Sequence, residues 1–101
     1  MNARELQVQI VKTWEQLQEA RHACVEIERA YKSSPEYIAY VDAIAINCDV
    51  KQAKGKLFQS AIYQQRRDAQ ANRIVLEAQY ENFSSSVHKI ALTCAIYQDE
   101  P

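Results

Sequence analysis

The chain has 101 residues, with 12 Lys and Arg against 13 Asp and Glu, one Gly and two Pro. That length holds a single domain, residues 1–101, or part of an obligate oligomer, without room for a separate cofactor-binding domain. So few Gly and Pro leave little means of making tight turns, which argues against a strand-rich fold, and the balanced charge argues against a globally basic nucleic-acid binder or an acidic tail.

The first predicted element is a helix over residues 2–32. Leu6, Ile10, Leu17, Ala20, Cys24, Ile27 and Tyr31 recur on steps of four and three, with Thr13 the only polar residue in the series. Such a heptad stripe marks one face of a long helix that packs against another. Val11 and Trp14 widen the stripe on one side, and the remaining positions are mostly Gln, Glu, Arg and Lys, as on a solvated face.

Ser33-Ser34-Pro35-Glu36 ends that helix and begins the next. Proline disfavours helical angles in the residue before it and suits the first turn of a new helix. Ser34 is the expected N-cap, with Glu36 near the positive end of the helix dipole.

From Glu36 a second apolar series runs every seven residues: Val41, Cys48, Gly55, Ile62, Ala69, Leu76, Phe83, Ile90 and Tyr97. It predicts a long helix over 35–82, either continuous or broken near 55 or 65. Gly55 follows Lys51 and Lys54, a pattern suited to a helix C-terminus, and a turn between Gln64 and Asp68 is the other option. Ser84-Ser85-Ser86 offers a further cap, with a final helix over 86–98. That last segment is apolar nearly all round and is expected to be buried. The fold class is therefore all-α, a helical hairpin or three-helix bundle with coiled-coil-like packing. A long second helix would overhang the first and expose its seam, which predicts a homodimer.

The longest apolar run, Ala43–Ile46, is far short of a membrane span. The first residues lack the apolar stretch of a signal peptide. Cys24, Cys48 and Cys94 sit among apolar neighbours, consistent with reduced core thiols in a cytoplasmic protein.

Chemistry-bearing constellations are sparse. Glu19 and His22 have the Glu-x-x-His spacing of di-iron bundles, but no second copy of the motif exists. No Cys-x-x-Cys suggests zinc, and a single glycine supplies neither a phosphate-cradling loop nor an oxyanion turn. The expectation is no catalytic residue, no metal and no cofactor.

The most informative polar feature lies between Lys51 and Arg73, where six cations stand against one acid, Asp68. On a continuous helix, Gln52, Lys56, Gln59, Tyr63, Arg66, Arg67 and Gln70 share one broad face, with Arg73 at its edge. Lys56, Tyr63, Arg66, Arg67 and Arg73 are the candidate partner-binding residues, since Tyr and Arg are frequent interface anchors. A chain turn inside this stretch would dissolve the face. Tyr37 and Tyr40, with Ile38 and Val41 between and beside them, make the start of the second helix apolar over most of its circumference. It is expected at the bundle centre, or else to form a contact surface.

These features point to a non-enzymatic protein–protein interaction module: a small helical adaptor, chaperone or regulator that buries a helical seam against another protein, with homodimerisation expected and no membrane involved. The alternative is a nucleic-acid-binding accessory protein using the Lys51–Arg73 face.

Overall fold

Residues 2–98 are described by the computed structural model, with side chains through residue 92. Helix α1 spans Ala3–Lys32. Asn2 starts it with a capping box: its side chain accepts from the Glu5 N–H at 2.8 Å, and the Glu5 carboxylate accepts from the Asn2 N–H. Arg29 and Lys32 lie in the last turn, where cations complement the exposed carbonyls.

Ser34 then serves two helices at once. Its hydroxyl donates to the Tyr31 carbonyl at 2.6 Å and accepts from the Tyr37 N–H at 3.2 Å. Helix α2, Pro35–Ile46, follows with Pro at its first position. The expected boundary and cap are both in place.

The long second helix is not. It is interrupted twice, and neither break falls at Gly55 or between Gln64 and Asp68. The first comes at Asn47, which adopts left-handed angles (φ 51, ψ 45). The Asn47 N–H bonds the Ile44 carbonyl and the Cys48 N–H bonds the Ala43 carbonyl, a Schellman ending built on Asn instead of Gly. Asp49 is also left-handed (φ 56) and precedes helix α3, Val50–Phe58. Asn and Asp tolerate this region because their short polar side chains bond locally. Gly55 lies within α3 and carries no positive φ.

The second break repeats the Ser34 device. Ser60 donates to the Leu57 carbonyl at 2.6 Å and accepts from the Tyr63 N–H at 3.3 Å. Helix α4, Ala61–Gln98, starts there and runs for 38 residues. It continues through Ser84, Ser85 and Ser86 without the expected bend or cap. The Ser86 hydroxyl bonds back to the Asn82 carbonyl at 3.0 Å, which satisfies it inside the helix.

Helices α1 and α4 pack antiparallel along their length, while α2 and α3 pair with each other and touch the long helices near the junction. The molecule is an all-α hairpin with a small helical tip, measuring 76 × 21 × 17 Å. Along the shaft, Tyr31 meets Tyr63, Glu28 meets Arg66, Cys24 meets Ala69 and Trp14 meets Tyr80. Continued to Ala3, this register reaches Ala91, so the last turns of α4 pass beyond the start of α1.

The buried line of α1 is the predicted stripe: Leu6, Thr13, Leu17, Ala20 and Tyr31 are buried, with Ile10, Cys24 and Ile27 half-buried. Opposite it, Ile62, Ala69, Leu76 and Phe83 of the second series are half-buried, whereas Val41, Cys48 and Gly55 of the same series are exposed. The seven-residue count had carried across two chain breaks. Val87, Ile90 and Leu92 are 38%, 37% and 52% exposed. The expected burial of the final segment is therefore absent as far as Leu92: the antiparallel register sets Val87 and Ile90 opposite only the first two turns of α1 and leaves Leu92 beyond Ala3. The Cys94 and Tyr97 side chains lie outside the described residues.

Candidate partner-binding surface

Four rings gather where the shaft meets the tip. Tyr31 ends α1, Tyr37 opens α2, Phe58 ends α3 and Tyr63 opens α4. Ring centroids lie 4.9 Å apart for Tyr31 and Tyr37, and 4.7 Å for the stacked Phe58 and Tyr63. Tyr37 and Tyr63 stand here because each is three residues after a Ser cap, on the first turn of its helix. Aromatic contacts of this kind add to simple area burial.

Arg66 closes the cluster. Its guanidinium lies 4.7 Å from the Tyr31 ring centroid, and its Nε donates to Glu28 Oε2 at 2.6 Å, with Nη2 3.5 Å from Oε1. The hydrogen bond from Arg66 holds the Glu28 carboxyl below its ordinary range against a partial desolvation effect, and the Arg66 and Lys32 charges add to the lowering. Reciprocally, the same bond pushes Arg66 upward. Burial raises Tyr31, with Arg66 acting in the opposite direction.

The five candidate residues thus do not form one helical face. The break at Gln59–Ser60 separates Lys56, on α3, from the other four, on α4. Tyr63 and Arg66 are taken up by the junction. Arg73 Nε lies 4.0 Å from Glu77 Oε1 and has no hydrogen-bond partner among the described residues. Only Lys56 and Arg67 stay well exposed.

The fold instead brings cations from two helices together. A groove between α1 and α4 is lined by Arg21, Arg29 and Lys32 from one side and Arg66 and Arg73 from the other, with Glu28 among them. Cys24, Val25, Ile27 and Ala69 also line it. The α1 cations were outside the stretch singled out in the sequence. Arg29 and Lys32 beside a helix end were the available signal, but only the antiparallel return of α4 sets Arg66 and Arg73 opposite them.

The tip carries a second groove, between α2 and α3, of the opposite sign. Glu36, Asp42 and Asp49 line it with one cation, Lys56, and with Ala39, Ala43, Ile46 and Ala53. Helix α2 itself is the most apolar exposed element. Ile38, Val41, Ile44 and Ile46 are 49%, 43%, 51% and 73% exposed, while Ala43 is buried and Tyr37 and Tyr40 are half-buried. The start of α2 is therefore not a bundle centre. With only α3 and the junction beside it, α2 buries one narrow side and presents the rest.

Other candidates disperse. His22 Nε2 lies 3.9 Å from Glu26 Oε1 rather than beside Glu19, and both side chains are exposed. Cys24 donates to the Ala69 carbonyl at 3.4 Å, but Cys48 is exposed in the α2–α3 turn next to Asp49, not in a core. Among the described residues no cluster of His, Cys, Asp and Glu has a metal-binding arrangement, and no helix is long and apolar enough to cross a membrane. No protein family, curated protein or solved structure matches this chain.

Proposed function

We propose that this chain is a non-enzymatic protein–protein interaction module, a small helical adaptor, chaperone or regulator that docks its tip on another protein and self-associates as a homodimer in the cytoplasm. The carrying observation is α2. A 12-residue helix with two charged residues leaves four β-branched apolar side chains exposed. Each is already partly covered, so burying the remainder contributes about 1 kcal/mol per side chain, and the four together give α2 a driving force for association. The free thiols of Cys24 and Cys48 suit a reducing compartment.

Sedimentation equilibrium tests this. The chain is expected to dimerise, and the triple substitution Ile38→Ser, Val41→Ser, Ile44→Ser should shift it to monomer with its helical circular dichroism retained. A variant that dimerises as well as the parent removes α2 from the interface. A nucleic-acid role fits less well. It needs the Lys51–Arg73 cations on one face, and the break at Ser60 and the Glu28–Arg66 pair divide them. Failure to shift duplex DNA or RNA in a gel at low salt would exclude it.

A further inference from the structure

We infer that two copies of this chain pair groove to groove, the acidic α2–α3 groove of one copy seated on the basic α1–α4 groove of the other. This rests on the interaction-module proposal and specifies its first partner as a second copy, with a defined orientation.

Both halves of the contact are present on one molecule. The shaft groove sets Arg21, Arg29, Lys32, Arg66 and Arg73 against Glu28, with Glu77 at its rim 3.8 Å from Arg21. Five cations therefore face two carboxylates. Arg29 is exposed and, among the described residues, forms no ion pair. The tip groove sets Glu36, Asp42 and Asp49 against Lys56. Glu36 and Asp42 likewise form no ion pair among the described residues. The surplus on each side is what the other lacks.

The apolar surfaces agree with the charges. On α2, Asp42 lies one turn from both Ile38 and Ile46, and the exposed Ile46 lines the tip groove together with Glu36, Asp42 and Asp49. The shaft groove likewise combines apolar lining, Val25, Ile27 and Ala69, with its cations. Apolar side chains and opposite charges are thus present on both sides of the contact.

Like-charge repulsion supplies the orientation. Shaft against shaft would bring two basic grooves together, and tip against tip two acidic ones. Such juxtapositions are costly and select against those arrangements. Tip on shaft is complementary, and a twofold arrangement satisfies both grooves of both copies in a closed dimer.

A charge-reversal exchange tests it. One variant carries Glu36→Lys and Asp42→Lys in the tip; the other carries Arg29→Glu and Lys32→Glu in the shaft. All four residues avoid the buried line, and circular dichroism checks that each variant keeps its helix content. In sedimentation equilibrium each variant alone should dimerise at least about tenfold more weakly than the parent. An equimolar mixture should recover parent-like association, because each reversed groove then meets its complement. The parent dimer should also weaken as salt rises to about 0.5 M, where screening of exposed charges is nearly complete.

Variants that associate like the parent, a mixture that shows no recovery, or a chain that stays monomeric at every concentration would each overturn the pairing. If the triple serine variant is monomeric while the charge reversals change nothing, the groove pairing fails and the apolar docking of α2 stands.

Discussion

The shaft and the tip solve the same problem with opposite success. In the shaft, two long helices each have one apolar stripe, and each stripe finds the other. Leu6, Leu17, Ala20 and Tyr31 are buried along it, and polar side chains cover the outside. In the tip, α2 and α3 have 12 and 9 residues, lengths that are marginal alone in water. They bury little beyond Ala43 and Leu57, although α2 is apolar nearly all round. A helix pair can hide one stripe per helix and no more. Apolar content beyond that stripe stays at the surface, and in this molecule it is concentrated at one end.

The largest expected effect separates the two regions directly. Leu17 and Leu57 are each 1% exposed, one in the shaft and one in the tip. Leu17→Ala should cost about 3 kcal/mol and lower the main thermal transition. Leu57→Ala should speed amide exchange across α2 and α3 while α1 and α4 keep their protection, as expected of a separate cooperative unit. Loss of protection in both regions would show that tip and shaft unfold as one body.

A smaller effect examines the junction between them. The Glu28 carboxyl is held below its ordinary value of 4.5 by Arg66. A lowered carboxylate stabilises the fold above that ordinary value, and the contribution is lost as pH falls through the lowered one. Both partners are about one-third exposed, at 35% and 29%, so screening limits the contribution to about 1 kcal/mol. Glu28→Gln should cost that much at pH 7 and flatten the stability profile below pH 4.5, measured by urea unfolding across the acid range. An unchanged profile would mean that the pair contributes nothing to holding α1 against α4 at the junction end of the shaft.

The smallest effect has the opposite sign. Gly55 sits inside α3, without a positive φ, and a Cβ there meets nothing within 4 Å. Gly55→Ala should therefore stabilise the tip by about 0.5–1 kcal/mol, since glycine is costly within a helix. Destabilisation would mean that Gly55 has a helix-ending role after all.

Much of the shaft was legible from residue order. The stripe from Leu6 to Tyr31, the Ser34-Pro35 boundary and the α4 line through Ile62, Ala69, Leu76 and Phe83 all follow from helical periodicity and cap chemistry. The breaks around the tip were not. Asn47 does the work usually given to Gly, and its left-handed angles are a tolerance rather than a preference, so the residue does not announce them. Ser60 caps as Ser34 does, but without a following proline it resembles any serine in a helix. Ser84 to Ser86 show the converse, three candidate breakers that the helix accommodates.

The candidate site was legible only as composition. An excess of cations between Lys51 and Arg73 was real, yet the face drawn through them assumed one continuous rod. Order along the chain determined the all-α class, the long helices, the strength of their seam and the unusual greasiness of α2, because local propensity and periodic spacing are properties of neighbouring residues. Tertiary structure decided where the rod breaks, which apolar residues stay uncovered, and that Arg29 of one helix shares a groove with Arg66 and Arg73 of another. Those outcomes depend on antiparallel register and on the number of partners each helix finds, and residues more than 30 positions apart meet only once the chain has folded back.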